Sequence, residues 1–182
     1  MNYIQTEIEG VWLIEPKVYK DNRGYFFESF RQDEFNEKVG VIDFIQENES
    51  KSTYGVLRGL HYQKGEFSQA KLVRVITGRV LDVAVDLRQG SSTFGQHISV
   101  ELSEENKRQL YVPRGFAHGF LVLSDEVIFS YKVDNHYTPE AEATILFSDE
   151  DLNIHWPMAD FDLILSEKDK EAPLFKEAEL FA

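Results

Sequence analysis

The chain contains no cysteine. That removes disulfides, thiolate metal sites and a cysteine nucleophile, and leaves packing alone to hold the fold. Basic residues are scarce: 19 Lys and Arg stand against 32 Asp and Glu, a formal net charge of −13. Nucleic acid is thereby excluded as a main partner, because binding it takes a broad basic face that neutralises several phosphates. Long apolar runs are missing as well. The longest uncharged stretch near the middle runs from Gly115 to Ser124, about half of what a bilayer-spanning helix requires, so no membrane span is expected. Met1-Asn2-Tyr3-Ile4 has no basic start, and Glu7 and Glu9 break any apolar run. Neither a secretory signal nor a transit peptide is therefore expected, and the protein is read as cytoplasmic. Neither a repeat nor a low-complexity segment or linker interrupts the chain. With 182 residues and 42% hydrophobic content, a single domain over residues 1–182 with a substantial core is expected.

What is present is a succession of short alternating runs rich in Val, Ile, Phe and Tyr. The clearest places Leu81, Val83, Val85 and Leu87 on one face, with Asp82, Ala84 and Asp86 between them, which is the period of a strand. Lys71–Ile76 is a second such run, and Thr77-Gly78 between the two is a connector of the kind that closes antiparallel hairpins. Further strands are expected at Gly10–Ile14, Tyr25–Phe30, Asp43–Glu49, Gly55–Gln63 and Gln96–Leu102. Gln109–Val112, Gly119–Leu123, Val127–Val133 and Ala143–Phe147 complete the set. Helical signals are few: Gln32–Val39 stopped by Gly40, a turn opened by Ser103, and a tail after Ser166. The pattern predicts an all-β jelly-roll sandwich or barrel with a few short peripheral helices, an architecture that encloses a pocket lined by side chains.

Several polar residues stand where chemistry could use them. In Tyr111-Val-Pro-Arg-Gly-Phe-Ala-His-Gly-Phe120 the Pro-x-Gly-x-x-His spacing resembles the second motif of cupin jelly rolls, with His118 at the start of an inward-facing strand. The His-x-His that supplies further metal ligands in metal-binding cupins is missing, since His61 is followed by Tyr62 and Gln63. Two histidines fall short of an ordinary metal site, so none is expected. Arg58-Gly-Leu-His-Tyr-Gln63, followed by Lys71, combines an imidazole that exchanges protons near neutral pH with cations able to hold negative charge on an oxygen. That set suits abstraction of a proton α to a ketone. Arg58 and His61 have opposite parity in a regular strand and reach one cavity only if the chain bulges near Gly59. The alternative is a hydrogen-bonded sheet histidine beside a surface arginine.

In Asp21-Asn-Arg-Gly-Tyr-Phe-Phe-Glu-Ser-Phe30, strand parity puts Phe26, Glu28 and Phe30 on one face, with Arg23 in the preceding turn. Glu28 is then a rim charge or a ligand hook. Gln46 shares a face with Asn48, and Tyr131 shares one with Phe129 and Val133, where ordinary ring packing would also account for it. Ser166-Glu-Lys-Asp169 reads as a helix cap, and alternatively as the carboxylate that orients His61.

Taken in order, these segments resemble the dTDP-4-dehydrorhamnose 3,5-epimerase family, a cupin-like group that works without metal. The likeness runs from about Gly10 to Pro173. Its marks are Asp21-x-Arg-Gly-x-Phe-x-Glu28, Gln46-Glu-Asn-x-Ser50, Arg58-Gly-Leu-His-Tyr-Gln63 and Asp82-Val-Ala-Val-Asp-Leu-Arg88. They continue with Pro113-x-Gly-Phe-Ala-His-Gly-Phe120, Tyr137-x-Pro-x-x-Glu142, Trp156-Pro157 and Leu165-Ser-x-Lys-Asp169.

The resemblance implies that His61 is the general base supported by Asp169, that Tyr131 is the general acid on the opposite side of the sugar, and that Lys71 stabilises the enolate oxygen. It implies substrate contacts from Arg58, His118, Gln46, Asn48, Glu142 and Lys168. Arg23, Phe26 and Glu28 would join them by reaching a partner subunit's site in a homodimer. The implied substrate is a dTDP-linked 4-keto-6-deoxy sugar, inverted at carbons 3 and 5 with no cofactor. A single-centre 3- or 5-epimerase or keto-sugar isomerase on the same fold, and a non-catalytic sugar-binding cupin, are the alternatives.

Overall fold

The computed structural model describes residues 1–157 and 163–182. Two antiparallel sheets face each other. The first has six strands in the order β1 (Asn2–Gln5), β2 (Trp12–Glu15), β10 (Gln109–Val112), β7 (Lys71–Thr77), β12 (Glu126–Val133) and β5 (Gln46–Thr53). The second has five, ordered β13 (Glu142–Thr144), β6 (Leu57–Gln63), β11 (Phe116–Val122), β8 (Arg79–Asp86) and β9 (His97–Ser103). A separate hairpin of β3 (Tyr19–Asp21) and β4 (Gly24–Phe26) precedes helix α1 (Gln32–Lys38), and helix α2 (Glu167–Lys170) lies near the C-terminus. This is the expected cupin-like jelly-roll sandwich with peripheral helices.

Three apolar clusters follow from the alternation. Val73, Val75, Val80, Leu102, Phe120 and Phe129 fill the space between the sheets. Leu57, Val83, Val85, Leu87 and Leu121 bury the outer face of the five-stranded sheet under the C-terminal segment, which contributes Trp156, Phe175 and Phe181. On the outer face of the other sheet, Phe35 of α1 packs with Ile14, Leu72 and Tyr111. Strand β8 is therefore covered on both faces, and Asp82 and Asp86 are fully buried.

The structure corrects three local expectations. β7 and β8 do not form a hairpin: β7 pairs with β10 and β12, whereas β8 pairs with β11 and β9. Gly78, at φ +81°, turns the chain from one sheet to the other, and a Cβ there would lie 2.1 Å from the Glu126 carbonyl oxygen. The strand expected over Tyr25–Phe30 ends at Phe26, because among the described residues it pairs only with the three-residue β3; Phe30 instead turns inward against Phe35 and Phe44. Strand β11 begins at Phe116, so His118 lies within it rather than opening it.

The bulge required near Gly59 is present. Phe120 pairs with Arg58 and His118 with His61, three steps along β6 against two along β11, so β6 carries one extra residue. Gly59 stands at φ +138°, and a Cβ on it would meet Gly119 Cα at 2.5 Å. Only glycine fits so close a crossing. The shift brings Arg58 and His61 to the same side of the sheet.

Candidate active site

Two adjoining hollows open between the sheets. One, of about 280 Å³, is lined by Arg58, His118, Phe120, Phe129, Ser50 and Lys168; the other, of about 440 Å³, by Gln46, Asn48, Gln63, Gln69 and Tyr137. His61, Lys71, Tyr131 and Glu142 line both and so stand where the hollows meet. Their strands place them on facing walls: His61 rises from β6 in the five-stranded sheet, while Lys71 and Tyr131 rise from β7 and β12 in the six-stranded sheet.

His61 is held from behind. Its Nε2 lies 2.5 Å from Oδ1 of Asp169, a buried carboxylate. The Ser166 hydroxyl donates to Asp169 Oδ2 at 2.8 Å and accepts the Asp169 backbone N–H at 3.2 Å. The two readings of Ser166-Glu-Lys-Asp169 are thus both realised, since the cap that starts α2 also fixes the carboxylate against the imidazole. Nδ1 of His61 makes no hydrogen bond among the described residues. Burial pushes the imidazole below its ordinary 6.5; Asp169 pulls the other way, and Lys168 and Lys71 add to the lowering. Near neutral pH the ring is uncharged and able to accept a proton.

Lys71 stands at the start of β7, and burial brings its ammonium down to about 8, against the opposing attraction of Asp82 and Glu142. Tyr131 pairs across the sheet with Asn48, and burial raises its phenol above the ordinary 10.0, so it keeps its proton at neutral pH. The Glu142 carboxyl is lowered even though burial opposes this, because Lys168 Nζ donates to it at 2.6 Å and the Tyr137 hydroxyl at 3.1 Å. Gln63 secures that rim, accepting the Thr138 N–H at 2.8 Å and donating to the Thr138 carbonyl at 3.0 Å.

The deep wall holds a second imidazole and carboxylate. His118 Nε2 lies 3.0 Å from both oxygens of Asp82, and its ring stacks near Phe129, which in turn stacks on Phe120 with centroids 4.2 Å apart. Asp82 was visible in the sequence as a charge between apolar neighbours, but nothing local paired it with His118. The Tyr137 hydroxyl on Glu142 and the aromatic floor of Phe120 and Phe129 were missed in the same way. Among the described residues, no three histidine, aspartate or glutamate side chains gather as metal donors.

Of the expected site residues, His61, Lys71, Tyr131, Gln46, Asn48, Arg58, His118, Glu142 and Lys168 line this cavity, with Asp169 behind His61. Arg23, Phe26 and Glu28 do not join it. Arg23 is exposed and bonds Asp21 at 2.6 Å, Phe26 is 71% exposed on the β3–β4 hairpin, and Glu28 faces Arg31 at 3.6 Å.

Comparison with known proteins identifies the family and the fold. Residues 5–177 match the family model described as dTDP-4-dehydrorhamnose 3,5-epimerase. The dTDP-4-dehydrorhamnose 3,5-epimerase of Shigella flexneri is 54% identical over 182 residues, covering all of this chain and 99% of the relative. The crystal structure of the enzyme of that name from Elizabethkingia anophelis superposes with a TM-score of 0.94 at 54% identity, covering 97% of each chain. The 3,5-epimerase of Legionella pneumophila, solved in complex with dTDP-4-keto-L-rhamnose, gives a TM-score of 0.94 at 49% identity over 98% of this chain and 94% of that one. With a family model matched over residues 5–177 and more than half of all positions identical to a relative along the whole chain, the chain belongs to the dTDP-4-dehydrorhamnose 3,5-epimerase family.

Proposed function

We propose that the protein epimerises dTDP-4-dehydro-6-deoxy-D-glucose at carbons 3 and 5 to dTDP-4-dehydro-β-L-rhamnose, a step of dTDP-L-rhamnose biosynthesis. The observation that carries this reading is the opposition of His61 and Tyr131 across one cavity, with Lys71 beside them. Inversion at a carbon next to a ketone needs a base on one face of the sugar, an acid on the other, and a positive charge at the oxygen where the enolate forms.

In this reading neutral His61, steadied by Asp169, takes the proton α to the carbon-4 ketone. The charge passes to the keto oxygen, where the Lys71 ammonium holds it. Tyr131 returns a proton from the opposite face; His61 then gives its proton to solvent and Tyr131 takes one back, and repetition at the second carbon completes the double inversion. Because the ketone acidifies both positions, the chemistry needs no redox cofactor. Gln46, Asn48, Arg58, His118, Glu142 and Lys168 bind the sugar nucleotide. Residues 1–182 act as one domain in a homodimer, with Arg23, Phe26 and Glu28 of the exposed hairpin entering the partner's site.

The deciding experiment is proton NMR of the 4-keto-6-deoxy sugar nucleotide with the protein in deuterated water. Loss of both the carbon-3 and carbon-5 signals supports the double epimerase. Loss of one identifies a single-centre enzyme, and no exchange by folded protein leaves a sugar-binding module.

A further inference from the structure

Strand β5 breaks the rule that organises the rest of the sandwich. Its outward residues Glu47, Glu49, Lys51 and Thr53 are exposed, as expected of an edge strand. Its inward residues, Gln46, Asn48, Ser50 and Ser52, are polar too, although they pair with Val133, Tyr131, Phe129 and Val127 of β12. An interior-facing row with no aliphatic member forgoes hydrophobic stabilisation at every position. Three of the four have a visible use: Gln46 and Asn48 line the outer hollow and Ser50 the inner one. Ser52 lines neither. It is buried, and its Oγ accepts the Nε–H of Arg58 at 3.0 Å.

Arg58 is otherwise exposed at the inner hollow, and among the described residues its two terminal nitrogens make no hydrogen bond. A guanidinium pinned through Nε keeps its planar terminal pair in one orientation, the geometry that grips an anionic oxygen pair. We propose that Ser52 is a positioning residue, whose hydroxyl fixes the Arg58 guanidinium so that its terminal nitrogens grip phosphate oxygens of the sugar nucleotide. An arginine free to sample its rotamers loses that freedom on binding; one already restrained loses less, and the ligand is held more tightly. The inference rests on the sugar-nucleotide reading of the site.

The test compares wild type, Ser52→Ala, Ser52→Thr, Arg58→Ala and the Ser52→Ala/Arg58→Ala double variant. The readouts are calorimetric binding of dTDP, and kcat and KM for the 4-keto-6-deoxy sugar nucleotide. Ser52→Ala is expected to weaken dTDP binding and raise KM about tenfold, with kcat changed by less than about twofold. Ser52→Thr keeps the hydroxyl and restores most of the binding. In the double variant the serine change adds little to the loss already caused by Arg58→Ala. Unchanged dTDP binding in Ser52→Ala, a fall in kcat alone, or full additivity with Arg58→Ala would each overturn the proposal. Wild type that binds dTDP but does not turn over the keto sugar would count against the epimerase reading and leave the Ser52–Arg58 coupling measurable by calorimetry.

Discussion

At the scale of single residues, the cavity assigns protonation states before any substrate arrives. His61 is uncharged near neutral pH, Tyr131 keeps its proton, and Lys71 is charged below about 8. Turnover should therefore rise as pH climbs past the lowered His61 value and fall as it passes through about 8, where Lys71 loses its proton. In Lys71→Arg, whatever rate remains should lose that upper limb until above about pH 10, because a guanidinium does not titrate there; a limb still near 8 would assign it to another group. His61→Asn should reduce proton exchange at least about 100-fold while dTDP binding persists, as measured by NMR and calorimetry. Tyr131→Phe should depress net epimerisation more than deuterium exchange at the first carbon, since abstraction precedes reprotonation. An equal loss of both would place Tyr131 in the first step as well.

At the scale of elements, two glycines control which side chains can meet. Gly59 permits the β6 bulge that turns Arg58 and His61 to one side, and its Cβ position is occupied by Gly119. Gly59→Ala should destabilise the protein by about 2 kcal/mol or more, through a positive φ and a backbone collision together; thermal denaturation alongside kcat checks this. One-turn helix α2 depends on its Ser166 cap, so Ser166→Ala should cost about 1 kcal/mol of stability and also loosen Asp169, lowering kcat. The elements differed in how legible they were. Gln109–Val112 and the Ser166 cap could be read from local pattern. β1 and β3 escaped because Asn-Tyr-Ile-Gln and Tyr-Lys-Asp are too short and polar for a period of two to register. The Thr77-Gly78 turn misled because a corner between sheets and a hairpin use the same kind of residue, and only the partners on either side distinguish them.

For the whole molecule, the −13 charge repels an anionic substrate at long range, while Arg58, Lys71 and Lys168 attract it within the cavity. Added salt screens the distant charges first, beyond roughly 10 Å at 0.1 M, and at higher concentration weakens the partly exposed cations too. Above about 0.1 M sodium chloride, where the distant repulsion is already screened, KM should therefore rise with salt with little change in kcat; a KM that keeps falling would mean that net repulsion controls association. Removal of divalent ions with a chelator should leave turnover unchanged, and activity lost and then restored by a metal would overturn the expectation that no metal takes part. Sedimentation should give about twice 21.1 kDa, and Phe26→Ala should raise KM if the hairpin serves the partner's site.

The sequence by itself determined the class of fold, most of the strands and the types of group needed for proton transfer next to a ketone, because alternation and residue chemistry are local properties. It also stated the condition on which Arg58 and His61 could cooperate. Only the tertiary structure decided that the condition is met, that Asp169 reaches across 108 positions to His61, and that Asp82 belongs to His118 and Ser52 to Arg58. The reason is physical: a period of two says which face a side chain occupies, whereas strand order, register and a one-residue bulge decide what lies opposite it.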